Sequence, residues 1–476
     1  MLRLLSITSW FLLATTVLVS SAVPNEHIWS SRGDSTGLQA YRIADMMERF
    51  GVDTFSDPGT FNPWGSAGNY STAGVIAALN WLLADSGMTM YDREYHFDNS
   101  GKNINYLTNM QSWWCPTVAA ATGTQFTMAP GSGATAHGTV DGELFLANQS
   151  AATTHWMKWV EGLNEPNLNG IPANETIYAQ QLIWASAPAG IPVVLPALVV
   201  GLPFVEGYMT SYINTTLLAQ YGSIANLHIY PSTEADIDDG SNRKGQLGDF
   251  AVGFNRTFPG YPQLITEWHP TLYNSHGHVS DPVYDAYYAP MFILSGFVNY
   301  NFIGYIWFAL FDYGQGAHQQ CGLFNNSVSN PKNVAYTIQA MYGLTGDRGD
   351  TKHTFSAGKI NLNITGLQLP INTASPYTGG QYALFQNSSG TFFLYVWNAQ
   401  ANPGGNSSLV TINFLDQPMT SVVEYNISGE SPQSVVQSWN SAATISFSLD
   451  ASVLLFVIDY PGSTSTSSSS RLVPWW

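Results

Sequence analysis

Between residues 36 and 312, short runs rich in β-branched and aromatic residues alternate with longer stretches whose apolar positions recur three and four apart. The short runs predict strands over 52–56, 88–95, 125–129, 159–165, 193–199, 224–230, 263–267 and 302–310. The longer ones predict helices. "STAGVIAALNWLLADSG" is expected to end on Gly87 as its cap, "DPVYDAYYAPMFILSGFVNY" leads into the last strand, and "NPKNVAYTIQAMYGL" follows it. Eight strand-and-helix units in that order favour an α/β fold of the (β/α)8 barrel kind over an open sheet. Beyond Gly346 the texture changes: "GQYALFQNSSGTFFLYVWNAQ", "LVTINFL", "SVVEYNIS" and "ATISFSLDASVLLFVIDY" lack a helical period and are separated by Asn, Gly and Ser turns. They predict a C-terminal antiparallel β-sandwich. The expected division is a signal peptide over 1–22, the barrel over 23–346, the sandwich over 347–461 and a Ser-rich tail over 462–476.

Composition narrows the class. Hydrophobic residues make up 45% and charged ones 10%, enough core material to exclude disorder as the general state. A net charge of −17 opposes nucleic acid and anionic membrane as partners, so a neutral one is favoured. The 15 Trp and 25 Tyr point to an oligo- or polysaccharide, against which flat rings can stack. The opening "MLRLLSITSWFLLATTVLVSSA" has one Arg, an apolar stretch over 10–19 and small residues at Ser20 and Ala22, the three parts of a secretory leader cleaved before Val23. No later run approaches the roughly 20 apolar residues of a bilayer span. A secreted, extracellular monomer is therefore expected, and ten Asn-x-Ser/Thr sites, among them Asn174, Asn214, Asn255, Asn363 and Asn387, fit a glycoprotein. Cys115 and Cys321 are the only cysteines; they sit in no CxxC or nucleophile setting, and whether they pair is left open.

In a (β/α)8 barrel the chemistry lies at the carboxyl ends of the strands. Asn164-Glu165-Pro166 closes the fourth predicted strand, and Thr266-Glu267-Trp268 closes the seventh. Together they resemble the signature of the clan A retaining glycoside hydrolases, of the family 39 and family 5 type. The likeness runs as an ordered pattern over residues 52–344. Family 39 members usually carry Trp before Asn-Glu-Pro, whereas this chain has Leu163, so the exact family is left open. The resemblance implies that Glu165 is the acid/base and Glu267 the nucleophile of a retaining β-glycoside hydrolase. It further implies that Asn164 bonds the sugar 2-hydroxyl, that Tyr230 bonds the nucleophile, and that Trp307 floors the subsite at the scissile bond.

Other residues are read with alternatives. His228 and Tyr230 alternate by two in "HIYP" and face one side, either toward substrate or into the core. Trp268 and His269 follow the seventh strand as candidate sugar contacts, and Trp307 competes with core packing. Arg93 in "MYDREYHF" either holds Glu267 ionised or pairs with Asp92 or Glu94. The loop "EWHPTLYNSHGH" gathers His269, His276 and His278 without the spacing of a metal site, so neither metal nor cofactor is expected. The runner-up function is a catalytically weak or inactive carbohydrate-binding surface glycoprotein on the same barrel. Both carboxylates are present, which counts against it.

Overall fold

The computed structural model describes residues 37–54, 71–95, 115–129, 155–198, 211–229, 247–269, 272–274, 277–279, 282–312, 320–325, 327–367, 380–398, 407–428, 434–450 and 452–461. The chain divides into Met1–Gly37 and Leu38–Trp476, and the second unit carries every element below. Its strands are β1 (Leu38–Gln39), β2 (Tyr41–Arg42), β3 (Phe50–Thr54), β4 (Tyr91–Tyr95), β5 (Gln125–Ala129), β6 (Met157–Val160), β7 (Ala225–Ile229), β8 (Gln263–Trp268), β9 (Leu272–Asn274), β10 (Gly277–Val279) and β11 (Gly304–Trp307). There follow β12 (Lys359–Ile360), β13 (Leu362–Thr365), β14 (Gly380–Gln386), β15 (Phe392–Asn398), β16 (Ser408–Phe414), β17 (Met419–Asn426), β18 (Ser434–Ala442), β19 (Thr444–Leu449) and β20 (Leu454–Asp459).

Seven strands form one parallel sheet in the order β6-β5-β4-β3-β11-β8-β7. Its two ends are joined through residues 193–198, which make parallel bridges to Val160 and Asn164 on one side and to Ile224 and Leu227 on the other. The circuit closes over eight parallel segments in the order the sequence predicts. Each sits within or beside its predicted run, and β5 matches residue for residue.

Helices cover the outside. The helix Thr72–Leu83 starts from Ser71, whose side chain accepts from the Gly74 N–H at 3.0 Å. It ends earlier than predicted. Ala84 and Asp85 take the left-handed conformation (φ 49° and 54°), and Gly87 is used for close approach instead: a Cβ there would lie 2.6 Å from Arg348 Cγ. The helices Pro282–Val298 and Asn333–Leu344 fall where the apolar period placed them. No described helix is long and apolar enough to cross a membrane.

Alternate residues of each barrel strand face inward, and the interior is stratified. Its floor is apolar: Trp159, Val194, Ile224 and Leu264 form a separate cluster, with Tyr91 and Ile303 packed against it. Gly304 leaves room for this layer, since a Cβ there would meet Leu264 at 2.7 Å and Trp159 at 3.4 Å. Two residues further along, four of these segments turn polar, from Tyr91 to Arg93, Trp159 to Glu161, Ile224 to Asn226 and Leu264 to Thr266. All four polar residues are buried.

After the barrel, β13-β16-β19 form a three-stranded sheet and β18-β17-β20-β15-β14-β2 a six-stranded one. One apolar cluster is shared between them, Leu384, Leu394 and Phe456 meeting Val410, Ile412 and Phe447. The other face of the six-stranded sheet packs on the barrel helices, where the Phe297 ring lies 5.8 Å from Phe385 and 5.3 Å from Tyr41. Strand β15 is thus buried at every position, which explains why "FFLYVWN" shows no alternation. Of the short strands ahead of the barrel in sequence, β2 pairs with β14 and so joins the six-stranded sheet, while β1 pairs with β12 in a two-stranded sheet of their own.

Candidate active site

Arg93 is the organising residue. It is fully buried on β4, and its three guanidinium nitrogens point into the barrel toward four partners. Nη1 donates to Glu267 Oε1 at 2.6 Å and to Asp53 Oδ2 at 3.0 Å, and Nη2 donates to Asn164 Oδ1 at 2.8 Å. Nε is shared by both oxygens of Glu161, each at 3.0 Å. The contact with Glu267, one of the alternatives left open by the sequence, is made. Asp92, which faces away from the interior, accepts instead from Thr54 Oγ1 at 2.8 Å.

These charges are buried together and divide unequally. Burial pushes Asp53 well above the ordinary carboxylate value, only partly offset by Arg93 and reinforced by Glu267 and Glu161. Its Oδ1 has no hydrogen-bond partner among the described residues. Of the carboxyls around the guanidinium, Asp53 is the one whose burial favours the protonated form. Arg93 is itself held well above its usual value: burial opposes the charge, but Glu161, Glu267 and Asp53 together outweigh it.

Glu267 and its neighbour Thr266 both reach the interior, contrary to strict alternation. The reason is a bulge in β8. Leu227 and His228 on β7 register with Ile265 and Glu267, while Tyr305 and Trp307 on β11 register with Ile265 and Trp268, so β8 carries one extra residue against both neighbours. Thr266 uses its inward position to meet His228.

His228 is the hinge of the second half of the site. Its Nδ1 lies 2.8 Å from Glu165 Oε1 and 3.3 Å from Glu267 Oε2, and its Nε2 lies 3.0 Å from Thr266 Oγ1. The network assigns the tautomer. Asn226 Oδ1 accepts from the Leu227 N–H at 2.8 Å, which fixes it as the carbonyl end, so Thr266 must donate to it at 2.8 Å. Thr266 can then only accept from His228, and Nε2 carries hydrogen. A single proton is left to be shared between Nδ1 and Glu165.

Glu165 is the more open of the two glutamates, its side chain 17% exposed against 5% for Glu267. It follows Asn164, which bridges Ala197, and its own N–H donates to Ala197 O at 2.8 Å. Its backbone is left-handed (φ 46°), an uncommon state for a residue with a Cβ, and is held by Asn169, whose side chain donates to Asn164 O and Glu165 O. Asn164 stands between the halves, with Oδ1 bound to Arg93.

The aromatic expectations divide. Trp268 and Trp307 are fully buried outside the ring, Trp268 stacked on Phe292 at 3.8 Å and edge-on to Trp307 at 4.9 Å. Trp307 Nε1 donates to Cys321 O at 2.9 Å. Both pack the core and offer no face to a ligand, because their strand positions point toward the helix Pro282–Val298. Phe308, one residue further, is half-buried and takes the next inward position, its ring 6.4 Å from buried His269. Sequence reasoning passed over it because Trp307 matched the expected residue type. Tyr230 and His276 lie outside the described residues, and His278 lies in the hairpin of β9 and β10. Cys115 and Cys321 are both buried and not joined in a disulfide. Asp53, Glu161 and Thr266 were also missed. The signal for Glu161 was a carboxylate two residues past Trp159, on the same face of an extended run and so directed with it into the barrel.

One ligand atom from each of Glu165, His228 and Glu267 lies within 4.8 Å of the others, a spacing three ligands of a divalent cation also adopt. Arg93, already bonded to Glu267 at 2.6 Å, repels a second cation there. The arrangement suits proton transfer and nucleophilic attack better than metal binding.

No family model matches the sequence, and no curated protein does. Among solved structures, the chain is similar to a family 39 glycoside hydrolase from the gut symbiont Bacteroides cellulosilyticus, with a TM-score of 0.55, 11% identity, and 88% of this chain and 82% of that one covered. A family 5 glycoside hydrolase from Bacteroides vulgatus gives 0.48 at 12% identity over 86% and 89%. An endo-β-1,3-glucanase of family 128 from Amycolatopsis mediterranei gives 0.40 at 16% over 62% and 99%. At these identities the first likeness is one of fold, that of a glycoside hydrolase barrel.

Proposed function

We propose that the protein is a secreted glycoside hydrolase that cleaves an extracellular, neutral glycan with retention of configuration, Glu267 acting as nucleophile and Glu165 as acid/base. The observation that carries this reading is the asymmetry of the two glutamates. Glu267 receives a guanidinium at 2.6 Å, while Glu165 Oε1 meets the imidazole Nδ1 of His228 at 2.8 Å. That asymmetry supports an ionised Glu267 and a proton-donating Glu165, the division of labour the reaction needs. Oxygens of the two lie within 4.8 Å. That supports double displacement, for which the carboxyls stand about 5–5.5 Å apart, over the wider spacing of inversion.

In the first step Glu267 attacks the anomeric carbon as Glu165 protonates the departing oxygen, giving a glycosyl ester and a free alcohol. Esterification removes the charge from Glu267. Glu165, now a carboxylate beside His228, takes a proton from water as the water attacks and releases Glu267. Asn164 has its carbonyl end committed to Arg93, so its NH2 is the end available to a sugar hydroxyl. The supporting sequence features are the leader for secretion, the low count of 15 Lys and Arg against anionic polymers, and the C-terminal strands as an appended β-sandwich.

A panel of aryl β-glycosides and defined oligosaccharides tests the reading. The wild type is expected to turn over at least one, with β product first by NMR, and Glu267→Ala to lose turnover. Glu165→Ala is expected to slow poor leaving groups by ~10²–10⁴-fold and, with azide added, to yield the β-glycosyl azide. Equal activity in wild type and Glu267→Ala, or an α-azide product, refutes the assignment; tight sugar binding without turnover favours the carbohydrate-binding alternative.

A further inference from the structure

Beneath the two glutamates lies a third. Glu161 is 1% exposed, four residues before Glu165 on the same strand segment, and no part of a substrate reaches it. Every neighbour donates to it. Oε1 accepts from Arg93 Nε at 3.0 Å and Thr127 Oγ1 at 2.9 Å, and Oε2 accepts from Arg93 Nε at 3.0 Å and Asn226 Nδ2 at 3.5 Å. That donor set is matched to a carboxylate anion. Two of the donors lead upward, one to each glutamate. Arg93 continues to Glu267 at 2.6 Å. Asn226 accepts from Thr266 at 2.8 Å, Thr266 accepts from His228 at 3.0 Å, and His228 meets Glu165 at 2.8 Å.

We propose that Glu161 is a positioning residue for the reaction, holding Arg93 on Glu267 through one arm and the Nε2–H tautomer of His228, hence its Nδ1 toward Glu165, through the other. The proposal rests on Glu165 and Glu267 being the reacting pair. Its physical content is that Glu161, accepting the Asn226 amide N–H, acts with the Leu227 N–H on the other end of that amide to leave the carbonyl to accept from Thr266, so that the hydroxyl accepts from the ring. The proton available to Glu165 is then on the substrate side of the imidazole. With Glu161 neutral, both halves lose an anion. Arg93 loses the carboxylate that fixes its Nε and with it the aim of Nη1 at Glu267, and the Asn226 amide is left with the Leu227 N–H as the contact that orients it.

The test compares pH–rate profiles of wild type, Glu161→Gln, Glu161→Asp and Thr266→Val on an aryl glycoside the wild type turns over, with thermal unfolding of each. Removing an anion favours the charged state of the remaining carboxylates, so both limbs of the Glu161→Gln profile are expected to move to lower pH. The expected fall in kcat is roughly 10–100-fold, the usual effect of an outer-shell partner, with KM little changed. Glu161→Asp is expected to return the limbs toward wild type while kcat stays reduced, because charge is restored and reach is not. Thr266→Val is expected to move only the limb belonging to the Glu165–His228 proton. A folded Glu161→Gln with wild-type limbs and kcat overturns the proposal. Should that variant not fold, an unchanged profile in the nearly isosteric Thr266→Val overturns it. Full activity in Glu267→Ala overturns the reading of the pair instead, which separates the two failures.

Discussion

Replacing Arg93 by Met keeps an apolar stem of similar length and removes the guanidinium shared by Asp53, Glu161 and Glu267. Burial already favours the protonated form of Asp53, so Glu161 and Glu267 are expected to carry most of the loss. Two carboxylates, 1% and 5% exposed at the side chain, are left without their counter-ion. Removing one partner of a buried ion pair costs about 3–5 kcal/mol. The folded variant can escape part of this by binding protons. Its carboxyls then bind protons more tightly folded than unfolded, so stability falls as pH rises, by up to ~1.4 kcal/mol per pH unit for each group that stays protonated only in the folded state. Urea denaturation at pH 5.0 and pH 7.5 reads this directly. The destabilisation relative to wild type is expected to be about 2–3 kcal/mol larger at pH 7.5 than at pH 5.0, and Glu161→Gln in the same chain is expected to remove most of that difference. A loss equal at both pH values, within about 0.5 kcal/mol, refutes the reasoning, because it means the carboxyls find other charge partners when the guanidinium is gone.

Burial lifts the Glu424 carboxyl to about 7, and one of its oxygens has no hydrogen-bond partner among the described residues. Its folded value lies above its unfolded one, so its contribution is present in full below about 4.5 and is lost as pH rises through about 7. Glu424→Gln is therefore expected to be neutral near pH 4.5 and stabilising at pH 8, by roughly 1–2 kcal/mol after allowance for solvent screening; a pH-independent difference in denaturation midpoint contradicts this. Trp307→Ala is expected to cost about 3–5 kcal/mol of stability, whereas Phe308→Ala is expected to act chiefly on KM or kcat. Thermal melts and steady-state kinetics on the same two variants check it, and the reverse pattern contradicts the placement of the two rings.

Much of this protein was legible in one dimension. The barrel order follows from apolar runs alternating with helical spacing, because strand and helix periods are local properties of the chain. Glu165 and Glu267 were legible because each ends an apolar strand, where the topology gathers functional groups. Even the helix Pro282–Val298, with Pro290 inside it, was carried by its apolar positions. Local period did not decide which side chains meet across the ring. It gives faces, and β8 breaks the alternation with an extra residue that turns Thr266 and Glu267 inward together and leaves Trp268 outside. Nor did it decide partners. Arg93 chose Glu267, Glu161 and Asp53 over the adjacent Asp92 because residues two apart on a strand share a face while neighbours do not, and facing positions on β3, β6 and β8 converge inside a closed ring. Residue type alone favoured Trp307 over Phe308, yet strand parity put the tryptophan in the core. The sequence by itself determined the elements, their order and the two carboxylates. Ring closure and one bulge decided which carboxylate met a guanidinium and which an imidazole, since both depend on distances between strands that no local pattern encodes.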